Sequence, residues 1–141
     1  LKALYRFSSR KVQLLIENHG SQTSTNVTIF DSVEELQLLK NTVGDRLKLN
    51  FNLAHATLSG INLNDKGVFQ FVFDNSPFFE VSEIKGIYDS HLPLQLGNGK
   101  ILQLLINFKD SLKKRNLILE YRNIQGEKLL KSLDFVNKIL A

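Results

Sequence analysis

The chain has 141 residues, with 18 Lys and Arg against 14 Asp and Glu (formal net charge +4) and no cysteine. That length suits one domain able to bury roughly two-thirds of its unfolded surface, and a 43% hydrophobic, 23% charged composition is that of a globular chain. The missing cysteine excludes disulfide scaffolds, thiolate metal sites, iron–sulfur clusters and a thiol nucleophile.

No apolar run approaches the ~18 residues of a membrane-spanning helix. No methionine occurs anywhere, so residues 1–141 read as a single domain excised from a longer protein. Period-2 patterning then dominates in chain order. Val12, Leu14 and Ile16 alternate with Lys11, Gln13 and Glu17, which predicts a strand, and Asn26 to Phe30 reads as its short partner. Ser32-Val33-Glu34-Glu35 is a capping box ahead of Leu36, Leu38 and Leu39, which predicts one short helix near 32–40.

Arg46 to Leu53 alternates without a fault, with Leu47, Leu49, Phe51 and Leu53 on one face. Val68 to Phe73 sets three phenylalanines against Val68 and Val72, and Phe78-Phe79 starts another strand. Ile101 to Phe108 and Asn116 to Arg122 repeat the alternation, the latter closing on Tyr121. The tail is ambiguous: 128–140 fits a strand pairing across Gly126 or a helix through Leu129, Leu133, Val136 and Leu140. At least six strands punctuated by glycine and asparagine turns predict an all-β fold, an antiparallel sandwich. Its core would hold Leu49, Phe51, Phe71, Leu104, Ile106, Leu119 and Tyr121.

Motifs of chemistry are absent. His19, His55 and His91 stand far apart with no ligand spacing, so no metal site is expected. Asp89-Ser90-His91 holds triad residue types, but neighbours in sequence rarely form a triad. Gly97-Asn98-Gly99-Lys100 reads as a hairpin turn rather than a phosphate loop. Asn26-Val27-Thr28 fits a glycosylation acceptor with nothing else to mark secretion. The residues thus predict no catalytic residue, no metal and no cofactor.

The charge is lopsided. Residues 100–141 carry nine Lys and Arg against four Asp and Glu, concentrated at Lys109, Lys113, Lys114 and Arg115. Such a patch attracts acidic partners, or simply solubilises a turn and guards a sheet edge. The adjacent Phe78 and Phe79 would point to opposite faces of a strand, which is then either covered on both faces or leaves one ring free for an apolar recognition site.

Three stretches carry a family likeness: Val68 to Phe73 followed by Phe78-Phe79-Glu80-Val81, Leu94 to Phe108 with its Gly97-Asn98-Gly99 turn, and Leu117 to Tyr121. Their order resembles the immunoglobulin-like β-sandwich of clathrin-adaptor appendage (ear) domains. The likeness spans about half the chain, and residues 35–60 lie outside it. The gamma-type ears interleave basic residues where this chain has Leu117, Ile118 and Glu120, so their peptide site does not carry over.

What the resemblance implies is a cytoplasmic, non-catalytic interaction module of a coat or tether subunit, peripheral on transport membranes. Its partners would be other proteins, with Phe78, Phe79, Lys109, Lys113, Lys114 and Arg115 as the partner-binding surface. The competing readings are a structural subunit domain of another assembly and a nucleic-acid-binding β-barrel using the basic last third.

Overall fold

A computed structural model describes residues 13–20 and 30–141. Strand β1 (Leu14–Glu17) is followed by helix α1 (Val33–Val43), β2 (Leu47–Asn52) and α2 (Leu53–Leu58). Helix α3 (Lys66–Asn75) leads into β3 (Phe78–Val81), then the hairpin strands β4 (Glu83–Lys85) and β5 (Tyr88–Leu92). Helices α4 (Lys100–Asn107) and α5 (Lys109–Leu112), strand β6 (Asn116–Leu119) and helix α6 (Glu127–Leu140) complete the chain.

β1, β2, β3 and β6 form one sheet in that order, and every neighbouring pair is parallel. The all-β immunoglobulin-like sandwich is therefore overturned. The fold is mixed α/β, with helices in the connections between parallel strands. Among the described residues the one antiparallel pairing is the β4–β5 hairpin.

The correction has local causes. Asp65 accepts hydrogen bonds from the N–H groups of Gly67 and Val68 and so starts α3 where alternation suggested a strand. Phe69 and Phe73, four residues apart, then stack at 5.4 Å, as neighbours on one helix face do. In the 101–108 stretch Ile101 and Leu105 are buried while Ile106 is 46% exposed, a helical spacing. The tail is helix α6, not a strand paired across Gly126.

The three stretches that resemble an ear domain are therefore helix α3 with β3, helix α4, and a strand in a parallel sheet. The basic turn at 109–115 begins as α5. The helix expected near 32–40 is present as α1, with Ser32 as its cap accepting from Glu35 N–H. The expected strand at 26–30 falls mostly outside the described residues.

Leu49, Phe51, Phe79 and Val81 pack from one face of the sheet against Leu36, Val72, Ile101, Leu105, Leu112 and Val136 of the helices. Of the core expected from sequence, Leu49 and Phe51 are buried, whereas Phe71, Leu104, Leu119 and Tyr121 are only half-buried. Alternation turns Glu17, Asn50, Asn52, Glu80 and Ile118 to the other face. Polar residues on that face collect at the carboxyl ends of the strands, which is where open parallel sheets place their ligand sites.

Candidate metal centre

Four sheet strands deliver Glu17, Asn52, Glu80 and Glu120 to one end of the sheet. α2 begins directly after β2, so Asn52 is its cap and His55 falls in its first turn. The β5 strand of the hairpin brings Asp89 and His91 over the same end. His91 is 3% exposed and has a left-handed backbone, φ 46°. For a non-glycine residue that conformation is costly, about 1–3 kcal/mol, and is typical of functional sites.

Asp89 Oδ2 lies 3.1 Å from His55 Nε2 and 2.9 Å from His91 Nε2. One ligand atom from each of the three residues lies within 4.8 Å of the others. A tetrahedral ion bonded at about 2.0–2.2 Å sets its donors about 3.3–3.6 Å apart, so Asp89 Oδ2 would move a few tenths of an ångström away from both rings. The far side of each ring is backed by a carboxylate. His55 Nδ1 is 3.0 Å from Glu17 Oε1, with the Asn18 carbonyl at 2.9 Å. His91 Nδ1 is 3.0 Å from Glu120 Oε2, at ion-pair distance but without hydrogen-bond alignment. Asp89 Oδ1 is a buried oxygen with no hydrogen-bond partner.

The electrostatics follow from this crowding. Burial disfavours a charged His55, yet the Asp89 and Glu17 carboxylates outweigh it and raise its pKa to about 10. The His55 hydrogen bond holds Glu17 below the usual carboxylate range, against burial. Burial pushes Asp89 upward, but His55 beside it brings the balance below the ordinary value. Burial lifts Glu80 above that range, and the charges of Glu17 and Glu120 add to the effect despite its hydrogen bond from Asn50.

The residues expected to bind partners sit elsewhere. Phe79 is buried in the core at 2% exposure, 5.9 Å from the Phe73 ring, and Phe78 is half-buried. Arg115 lies over the Phe73 ring and donates to the Phe73 carbonyl. Lys109, Lys113 and Lys114 are exposed, with Lys113 reaching the Ala141 carbonyl. Phe78 and Asn116 are register partners, so the phenylalanine pair and the basic segment do adjoin, at the amino ends of β3 and β6. That is the end of the sheet opposite Glu80 and Glu120.

The spacing test missed the cluster because its members come from separate connections, His55 from after β2 and Asp89 and His91 from the hairpin. One signal was in view: Asp89-x-His91 alternates along a strand, which puts both side chains on one face.

No family model matches the chain, and no curated protein does. Among solved structures it resembles the TTHB071 protein from Thermus thermophilus, described as soaked with ZnCl2, at 23% identity and a TM-score of 0.61. The alignment covers 91% of this chain and 44% of that one, so this chain spans less than half the length of its structural neighbour. The likeness is one of fold and agrees with the α/β architecture. No helix among the described residues is long and apolar enough to cross a membrane.

Proposed function

We propose that this chain binds one divalent metal ion through His55, Asp89 and His91 and uses it in metal-assisted chemistry on a small oxygen-bearing substrate. The observation that carries the reading is the pair of imidazole Nε2 atoms meeting on one carboxylate oxygen, each ring backed at Nδ1 by a glutamate. The hydrogen bond to Glu17 fixes the His55 ring and strengthens it as a ligand, and Glu120 stands at ion-pair distance from His91. Two nitrogens and a carboxylate suit zinc and its neighbours better than magnesium or calcium. The zinc soak of the structural neighbour is consistent with that choice.

Three protein ligands leave a coordination position for water or a substrate oxygen. An ion there would polarise that oxygen or make bound water a nucleophile near neutral pH. Glu80, whose carboxyl is held above the usual range next to Glu17 and Glu120, is the candidate group for carrying a proton in that chemistry. Open parallel sheets bind ligands at this end.

The test is isothermal titration of chelator-dialysed protein with Zn2+. Wild type takes up about one ion per chain, and His55→Ala and His91→Ala each abolish the uptake. Uptake that is absent in wild type, or unchanged in both variants, overturns the reading.

A further inference from the structure

Every polar atom of Asn52 is engaged, and the residue is fully buried. Its backbone N–H donates to Asn18 Oδ1 at 2.7 Å, and its carbonyl accepts from Asn18 Nδ2 at 3.0 Å. Its side-chain Oδ1 caps α2 by accepting the His55 N–H at 3.1 Å. That cap decides which way the amide faces, and Nδ2 is aimed away from the helix. There it meets Glu17 Oε1 at 3.2 Å, Glu80 Oε2 at 3.0 Å and Glu120 Oε2 at 3.2 Å.

An amide nitrogen carries two hydrogens, yet three carboxylates surround this one. Carboxylate oxygens gathered about a single point form the environment of a hard cation, not of a neutral donor. His91, 3% exposed, also aims an Nδ1 without a hydrogen-bond partner at the same Glu120 oxygen.

We propose that Asn52 Nδ2 stands in the place of a second cation among Glu17, Glu80 and Glu120, limiting the centre to one ion. Aspartate at this position would convert the chain to a two-ion site. The inference rests on the metal reading above. Aspartate caps a helix as well as asparagine does, so Asn52→Asp keeps the hydrogen bond to His55 and exchanges a donor for a fourth carboxylate. The resulting all-oxygen set favours Mn2+, whereas the histidine site favours Zn2+.

The experiment loads each protein with one equivalent of Zn2+ and then titrates Mn2+, reading free Mn2+ by electron paramagnetic resonance. Zinc-loaded wild type takes up no Mn2+. Asn52→Asp takes up about one per chain, and Asn52→Asp/Glu80→Gln loses it. Should Asn52→Asp fail to fold, Asn52→Ser decides, because serine also caps the helix but lacks the amide nitrogen: it too takes up Mn2+. Wild type binding Mn2+ as well as Asn52→Asp does overturns the proposal and leaves the zinc reading standing. No Mn2+ uptake by a folded Asn52→Asp, or by Asn52→Ser in its place, overturns it in the same way. Failure of wild type to take up Zn2+ overturns the metal reading itself.

Discussion

Gly97 has no side chain, and Glu83 fills the space that one would need: a Cβ on Gly97 would lie 1.7 Å from Glu83 Cγ and 2.5 Å from its Cβ. Glu83 is fully buried, and its carboxylate accepts the N–H groups of Ile101 and Leu102 at 3.2 Å. It thereby caps α4, whose own cap residue, Gly99, supplies no side-chain hydrogen bond. Glu83 also pairs with Leu92 in the hairpin, one residue past His91. The contact therefore ties the hairpin whose second strand carries Asp89 and His91 to a helix of the core.

The steric half of that contact is testable by a double-mutant cycle. Gly97→Ala forces the two residues apart and should cost about 1–3 kcal/mol, the usual range for overpacking. Glu83→Ala leaves buried N–H groups without an acceptor and should cost a similar amount, about 1–3 kcal/mol. Combining them removes the collision with Cγ and leaves only the 2.5 Å approach to the Glu83 Cβ, so the double variant should cost less than the sum in urea denaturation. Strictly additive costs would show that Gly97 and Glu83 do not share this space.

A second pair of substitutions separates the helical reading of residues 100–107 from the strand that alternation suggests. Phe51 is fully buried against Phe79 and the helices, so Phe51→Ala should cost about 3–5 kcal/mol. Ile106 is 46% exposed, and Ile106→Ala should stay within about 0.5 kcal/mol. An Ile106 cost approaching that of Phe51 would return it to the core and favour the strand.

What the sequence disclosed depended on how local the cause was. The faultless alternation from Leu47 to Asn52 needs only a neighbouring strand, and β2 is where it was expected. The Ser32 cap acts within four residues, and α1 follows it. The apolar runs at Val68 and Ile101 fit either period. Their outcome was set by Asp65 in one case and by Glu83, eighteen residues distant, in the other. The second of those has no local signature. The metal cluster was hidden for the same reason, since parallel strands bring together residues as remote as Glu17 and Glu120. Phe78-Phe79 was legible as a strand, but which ring faces the core depended on helices the alternation did not reveal.

In the metal-free protein the pairs around Asp89 set how stability varies with pH. His55 is raised from 6.5 to about 10, so its contribution is fully present below pH 6.5 and is lost as pH rises through about 10. Glu17 and Asp89 are depressed, so theirs is present above the ordinary carboxylate pKa and is lost as pH falls through the depressed values. Thermal melts in chelator should therefore decline from about pH 7 to pH 10 in wild type, and the decline should be reduced in His55→Gln. Equal slopes in the two proteins would remove His55 as the source.

The two backing glutamates offer the most direct check on how the histidines are held. Glu17 and Glu120 each face a ring nitrogen pointing away from Asp89. Glu17→Gln and Glu120→Gln keep size and an acceptor oxygen while removing the charge that strengthens imidazole as a ligand. Each should weaken Zn2+ binding about 10–100-fold without changing the single-ion stoichiometry. Each also removes one negative charge from the group around Asn52 Nδ2. Because Glu17 is held below the ordinary carboxylate range, metal-free Glu17→Gln should melt below wild type, and its zinc affinity is read against that loss. These two results together distinguish orientation of a ligand from maintenance of the fold. A variant with unchanged zinc affinity would show that its glutamate does not prepare the ring. One that loses affinity only in proportion to lost thermal stability would assign that glutamate to the fold alone.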